Sequence, residues 1–171
     1  MPETPQVLVL VGSASDEELM RFCWAQLAEL RIPYEVQVAS AHRSPDLVRQ
    51  LIPDAQARGV KVIIAGAGWA AHLAGCVAAL TTLPVIAVPL ATSPLQGLDA
   101  LLASVQMPSG VPVATVAING VRNAAILAAE ILALQDQQLS TRLAELRRSM
   151  AEEIRCAKLP SASDTGAATS S

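Results

Sequence analysis

Residues 6–16 read QVLVLVGSASD, an apolar run that stops abruptly at a glycine followed by two serines and an aspartate. Further segments rich in valine, isoleucine and leucine occupy 34–39, 61–65, 85–89 and 113–118. Most are short and nearly continuous apolar runs, which is typical of parallel strands buried on both faces of a sheet. The pattern therefore predicts a parallel sheet of about five strands.

Helical segments separate these runs. The first helix is predicted from four apolar residues at intervals of four, four and three: Leu19, Cys23, Leu27 and Leu30. Ser44-Pro45-Asp46 opens another helix, with an N-cap candidate followed by proline at the first helical position. Helices are also predicted over 70–80, 97–104 and 121–134. Alternating strands and helices with right-handed crossovers predict an α/β protein, a three-layer flavodoxin-like sandwich.

The end of the chain changes in character after residue 134. A polar helix is predicted over 136–158, with one apolar stripe formed by Leu139, Leu143, Leu146 and Met150. It is too polar for the core, so we expect this C-terminal helix to pack on a neighbouring subunit. Residues 159–171 show no periodicity and are expected to form a disordered tail. That leaves 1–158 as a single α/β domain.

Composition excludes several classes of function. Apolar residues make up 52% of the 171 residues, enough for a core and for surface buried between subunits. Twelve basic residues, a net charge of −3 and no basic run argue against nucleic-acid binding, and four aromatic residues offer no platform for stacked bases. Three widely spaced cysteines predict neither disulfides nor a zinc site. Without a signal peptide or membrane-spanning run, we expect a cytoplasmic protein that does not contact a membrane.

Non-core residues concentrate where three of the predicted strands end. They read GSASD at 12–16, SAHR at 40–43 and GAGWAAH at 66–72, and both histidines of the chain lie among them. Ligands bind outside the carboxyl ends of the strands in open parallel sheets. This edge of the sheet is therefore the predicted binding site.

The first of these loops has two interpretations that the sequence leaves open. It can be a turn followed by a capping box from Ser15 to Glu18. It can also be an anion cradle, because small residues and free N–H groups at a helix start suit a phosphate, with Asp16 accepting bonds from ribose hydroxyls. No lysine follows at P-loop spacing, which argues against a nucleoside triphosphate site.

The other two loops supply candidates for chemistry. Arg43 offers a forked donor for a phosphate, and His42 is the side-chain type best suited to proton transfer near neutral pH. Residues 66–71 match the dinucleotide fingerprint formally, but they follow the third strand and lack the acidic residue some twenty positions on. We predict instead a glycine loop close to a small ligand. His72, one turn into the next helix, is either a packing residue or a ligand contact.

At these residues the chain resembles a known family. VGSASD, VASAHRSPD, KVIIAGAG, GLDALL and VQMPSGVPVATVAI, in this order, closely resemble N5-carboxyaminoimidazole ribonucleotide mutase, the catalytic-subunit type of phosphoribosylaminoimidazole carboxylase. The resemblance runs from about residue 7 to 148. It implies a flavodoxin-like octamer with active sites at subunit junctions. It also implies conversion of N5-carboxyaminoimidazole ribonucleotide to 4-carboxyaminoimidazole ribonucleotide in de novo purine biosynthesis, without metal or organic cofactor.

The resemblance also assigns roles to positions in this chain. His42 becomes the acid–base residue. Ser13 and Arg43 become phosphate ligands, Asp16 a ribose ligand, and the Ala67–Gly68 backbone encloses the reacting base. The remaining predicted substrate-binding residues are Gly12, Ser15, Ser40, Ala41, His72 and Leu73.

The chain departs from the family pattern at several positions. Trp69 stands where the family usually has glycine, Ala74 where it has proline, and Cys76 where it has methionine. The segment 91–94 also differs, and the turn at 119–122 is shorter than in many members. Since an indole cannot replace a glycine inside a closed pocket without displacing something, we expect Trp69 to point away, packing on its own helix or an adjacent subunit.

Three alternatives remain at this point. Direct carboxylation of aminoimidazole ribonucleotide by CO₂ or bicarbonate uses related chemistry. A non-catalytic nucleotide-binding paralogue is favoured by Trp69 but disfavoured by the intact Ser13, Asp16, His42 and Arg43. A flavin carrier is disfavoured by the scarcity of aromatic residues near the loops.

Overall fold

The protein is described by a computed structural model covering residues 4–157. The strands are β1 Val7–Val11, β2 Tyr34–Val38, β3 Val62–Gly68, β4 Val85–Leu90 and β5 Ala114–Thr115. The helices are α1 Glu17–Glu29, α2 Pro45–Ala57, α3 Leu73–Ala78, α4 Leu98–Val105, α5 Val121–Ala133 and α6 Gln137–Cys156, with a 3-10 turn at Ala14–Asp16 before α1. The strands form one parallel sheet in the order β2-β1-β3-β4-β5. The predicted α/β, flavodoxin-like architecture is confirmed.

The residues of β1 explain why the sheet is sandwiched. Val7, Val9 and Val11 point into a core shared with α1, α5 and α6. Leu8 and Leu10 point into a second core shared with α2 and α3. Successive side chains of a strand face opposite sides, so an unbroken apolar strand needs a cover on each. The helices on the two faces supply those covers.

The sheet topology brings the predicted loops together. β1 lies between β2 and β3, and its last residue, Val11, pairs with Val38 on one side and Gly66 on the other. The chain leaves β1 toward β2 and then crosses back to β3, which makes this the switch point of the sheet. A crevice forms at such a point, outside the carboxyl ends of the strands.

Two predicted strand boundaries were wrong. β3 continues to Gly68, pairing Gly66 with Val88 and Gly68 with Leu90, so 66–68 are strand rather than loop. Gly66 packs closely against Met20, since a Cβ at this position would lie 2.5 Å from Sδ of Met20 and would force that side chain to move. β5 has two residues instead of six, and it lies at the sheet edge, where only β4 pairs with it.

The C-terminal helix packs partly on its own chain. Asp136 caps α6 by accepting hydrogen bonds from the N–H groups of Gln138 (2.9 Å) and Leu139 (3.0 Å). Leu139 and Leu143 are buried in the core that α5 lines, whereas Met150 is half exposed. The predicted stripe therefore serves the core of its own subunit in its first half. Residues 158–171, with the expected tail at 159–171, lie outside the described residues.

None of the helices within residues 4–157 is both long enough and apolar enough to cross a membrane.

Candidate active site

A cleft of about 650 Å³ opens at the carboxyl ends of β1, β2 and β3. It contains every predicted site residue except His72. Its lining consists of Gly12, Ser13, Ser15, Asp16, Ser40, Ala41, His42, Arg43, Ala67, Gly68, Trp69, Ala70, Leu73 and Thr92.

The turn after β1 presents hydroxyl groups to the cleft. Ser13 precedes the 3-10 turn, and its Oγ accepts hydrogen bonds from the N–H (3.4 Å) and the hydroxyl (2.8 Å) of Ser15. Of the two interpretations left open for this loop, the capping box from Ser15 to Glu18 is not formed, because α1 begins after Asp16 and no side chain caps it. The extra 3-10 turn shifts the helix start by one position and leaves both serines facing the cleft.

Asp16 is the buried acid of the site. The residue is 6% exposed and its carboxylate makes no capping bond to α1. Burial raises the pKa of Asp16, and the positive charge of Arg43 partly offsets that rise. A poorly solvated carboxylate of this kind gains from hydrogen bonds donated by a ligand hydroxyl.

Arg43 connects the ends of β2 and β1. Its backbone N–H donates to Oγ of Ser40 at 3.1 Å, and its Nη2 donates to the carbonyl oxygen of Gly12 at 3.1 Å. Ser44 supports this loop by accepting from the N–H of Ser40 at 2.9 Å, and it does not cap α2 as predicted. One guanidinium nitrogen of Arg43 is thus hydrogen-bonded to the protein, and the remaining N–H groups of the guanidinium can donate to an anion in the cleft.

The two histidines contact each other. Nε2 of His42 lies 2.8 Å from Nδ1 of His72, and the rings meet edge to face with centroids 4.9 Å apart. A single proton lies between these nitrogens, so one ring donates and the other accepts. His72 sits at the N-cap of α3 rather than one turn inside the helix, since that helix starts only at Leu73. It reaches the site through His42 and is not part of the cleft lining.

A family model described as AIR carboxylase matches residues 6–153. The chain belongs to the AIR carboxylase family. The resemblance found in the sequence is confirmed by this match.

Relatives within the AIR carboxylase family cover nearly the whole chain. The N5-carboxyaminoimidazole ribonucleotide mutase of Saccharolobus solfataricus is 48% identical over 155 residues, 91% of this chain and 98% of the relative. The protein of the same name from Thermotoga maritima is 49% identical over 150 residues, 88% of each chain. The crystal structure of Treponema denticola PurE superposes with a TM-score of 0.81 at 30% identity, covering 88% of this chain and 94% of that one.

Thr92 lines the cleft, although the sequence analysis did not predict it as a site residue. It follows β4, and a Cβ on Gly68 would lie 1.8 Å from its Oγ1. Asn119 holds this loop by accepting a hydrogen bond from the N–H of Ala91 at 2.9 Å. The rule that ligands bind at strand ends, applied to β4 as well, points to this position.

Our expectation for Trp69 named two packing surfaces, its own helix and an adjacent subunit, and the single chain bears only on the first. Trp69 lines the cleft beside Ala70, is 58% exposed, and belongs to neither core. Packing on its own helix is therefore not observed. The overpacking argument assumed a closed pocket, whereas this cleft is open enough in the single chain to leave the indole room.

Across residues 4–157, no group of three or more His, Cys, Asp and Glu side chains is placed to hold a metal ion.

Proposed function

We propose that this protein converts N5-carboxyaminoimidazole ribonucleotide to 4-carboxyaminoimidazole ribonucleotide in purine biosynthesis, without a metal or organic cofactor. One observation carries the proposal. Ser13, Asp16, His42 and Arg43 line one cleft, in a chain that is 48% identical to a protein named for this mutase activity over 98% of that protein's length.

In the proposed complex the sugar phosphate occupies the polar end of the cleft. Ser13 and Arg43 bind the phosphate, since hydroxyl and guanidinium donors face the same space. Asp16 accepts hydrogen bonds from the ribose hydroxyls, which compensates its buried carboxylate. The phosphate lies away from the reacting atoms, so its binding energy serves to position the base.

The proposed reaction moves one carboxyl group within the bound nucleotide. The bond between the exocyclic nitrogen and the carboxyl carbon breaks and releases CO₂. C4 of the imidazole then attacks that CO₂, and His42 takes the proton that C4 loses while the nitrogen regains one. Backbone at Ala67–Gly68, with Leu73, encloses the reacting base and the CO₂, because a tight site of small residues retains CO₂ and excludes water, and His72 acts there through its contact with His42.

We further propose that the active form is a cytoplasmic homo-octamer with sites at subunit junctions. Large apolar side chains that are about half exposed or more support assembly, namely Leu95, Leu98, Leu102 and Val105 around α4, and Leu134, Met150 and Ile154 near or on α6. Light scattering should give several times the 17.8 kDa chain mass, with an octamer favoured. A monomer at micromolar concentration would refute the assembly.

The activity is tested by supplying purified protein with each ribonucleotide. We expect turnover of N5-carboxyaminoimidazole ribonucleotide that does not depend on added bicarbonate. Turnover of aminoimidazole ribonucleotide only when bicarbonate is present would instead identify a direct carboxylase. Binding of either nucleotide without turnover would identify a non-catalytic paralogue.

A further inference from the structure

Trp69 has a backbone conformation that its side chain does not favour. Its φ is +52°, in the left-handed region where a bulky side chain is disfavoured and glycine is at ease. A strained residue of this kind persists only where the surrounding structure imposes it, and such residues cluster at binding sites.

The neighbouring backbone imposes this conformation. On one side, Gly68 is pressed against Thr92, since a Cβ there would lie 1.8 Å from Oγ1. On the other side, the N–H of Ala71 donates to the carbonyl oxygen of Trp69 at 2.9 Å, and the N–H of His72 donates to that of Ala70 at 2.8 Å. Ala71 itself is buried. The turn is thus held at both ends, and the indole projects from it.

The indole of Trp69 contributes little to the packing of the two cores. Trp69 is 58% exposed and packs into neither core, yet it lines the cleft. The other aromatic residues are placed elsewhere: Trp24 and Tyr34 pack against the first core, and Phe22 lies 5.0 and 5.8 Å from the guanidinium carbons of Arg21 and Arg122. Trp69 is therefore the one Phe, Tyr or Trp residue among those that line this cleft.

We infer that Trp69 is a ligand-contacting residue that determines specificity, its indole packing against the planar heterocycle of the bound ribonucleotide. The inference rests on the proposed function for the identity of that heterocycle. Aromatic side chains bind planar rings by stacking or edge contacts. The residues around Trp69 are small or aliphatic (Gly68, Ala70, Leu73), so this end of the cleft suits the base, while the serines and Arg43 suit the phosphate.

The contact has a specific kinetic consequence. An indole packed on the heterocycle meets the ring in the substrate and in the transition state alike. Such uniform binding lowers KM and leaves kcat nearly unchanged. A structural role for Trp69 would instead show itself in thermal stability, because a packed tryptophan is costly to remove.

Fluorescence of a protein with one tryptophan tests the inference. In a Trp24→Phe background Trp69 is the sole tryptophan, and titration with aminoimidazole ribonucleotide should give a saturable change in its emission when tryptophan is excited selectively over Tyr34. Trp69→Gly in the wild-type protein should weaken binding of that nucleotide by about tenfold, the order expected for one base–aromatic contact. Trp69→Phe should lose less. Trp24→Phe, in a tryptophan away from the cleft, is the matched control and should bind normally.

Two further measurements separate the possible roles. Ribose 5-phosphate lacks the heterocycle, so Trp69→Gly should not change its affinity. The Tm of Trp69→Gly should not fall, because glycine suits the positive φ. The inference is overturned if the emission of Trp69 does not change at saturating nucleotide. It is also overturned if Trp69→Gly lowers the affinity for both ligands equally, or if the emission changes with protein concentration but not with nucleotide.

The same experiment distinguishes this inference from the proposed function. If Trp69 responds to the nucleotide but the protein turns over no ribonucleotide, the proposed function fails and the contact stands. If the mutase reaction proceeds while Trp69 ignores the nucleotide, the contact fails and the proposed function stands. Absence of nucleotide binding overturns both.

Discussion

Gly68→Ala should reveal how tightly the end of β3 packs against the loop after β4. An added Cβ would lie 1.8 Å from Oγ1 of Thr92, and 3.2 Å from both Cβ of Thr92 and the carbonyl oxygen of Leu90. The hydroxyl has to rotate away, but the carbonyl belongs to a paired strand and cannot. We expect a loss of about 2 kcal/mol in the free energy of unfolding, within the range of about 1–3 kcal/mol for overpacking. Activity should also fall, because the displaced hydroxyl lines the cleft.

A double-mutant cycle isolates this contact. Thr92→Ala removes Oγ1 and should restore part of the stability that Gly68→Ala loses. Thr92→Val puts a methyl group in place of Oγ1, so the clash with the added Cβ remains and little stability should be restored. Gly12→Ala is the matched control in the same cleft. Its Cβ would meet Cβ of Ala67 at 3.4 Å, an ordinary contact, so its stability should change by less than about 0.5 kcal/mol.

Thermal and urea unfolding at one fixed protein concentration provide the assay, because the proposed assembly would make the measured stability depend on concentration. The reasoning is refuted if Gly68→Ala is as stable as Gly12→Ala. It is refuted equally if Thr92→Ala and Thr92→Val restore the same stability.

Three further predictions concern the polar side chains of the cleft. His42→Asn should still bind the ribonucleotide but lose on the order of 10² to 10⁴ in turnover; near-normal turnover would remove His42 from the reaction. Arg43→Ala should weaken ribonucleotide binding about ten- to a hundredfold, the loss of a charged hydrogen bond of roughly 1.5–3 kcal/mol, and should spare the dephosphorylated nucleoside. Burial raises the pKa of Asp16 above its ordinary 3.8, so the folded state holds the proton more tightly than the unfolded state does. The ionised carboxylate therefore lowers the free energy of unfolding, and this loss increases as pH rises from about 3.8 through the folded pKa. Asp16→Asn should therefore raise Tm at pH 7 relative to wild type, with a difference that shrinks toward pH 3.8, while ribonucleotide binding weakens; a pH-independent difference would contradict this.

The central sheet could be predicted because its signal is local. Val7 to Val11 are apolar at every position, and only a strand covered on both faces uses such a run. The ends of β1 and β2 could be predicted to within one residue for the same reason, since glycine, serine, histidine and arginine follow the apolar residues there. The switch-point rule then brought GSASD, SAHR and the end of β3 to one cleft.

The errors arose where contacts distant in sequence decide the structure. β3 continues through Gly66 and Gly68 because these residues pair with Val88 and Leu90 of β4, and the nearby Met20 and Thr92 favour glycine at both positions. No local pattern shows that. The contact between His42 and His72 depends on how α3 is placed against the end of β2, and the exposed indole of Trp69 depends on how open the cleft is.

The fate of the carboxyl carbon tests the proposed function most directly. N5-carboxyaminoimidazole ribonucleotide labelled with ¹³C in its carboxyl group would be converted in buffer containing unlabelled bicarbonate, and the product analysed by mass spectrometry. If CO₂ stays enclosed in the cleft between release and recapture, the 4-carboxyaminoimidazole ribonucleotide retains the label. Product that carries unlabelled carbon would contradict transfer within one bound nucleotide, and would favour carboxylation from bicarbonate in solution.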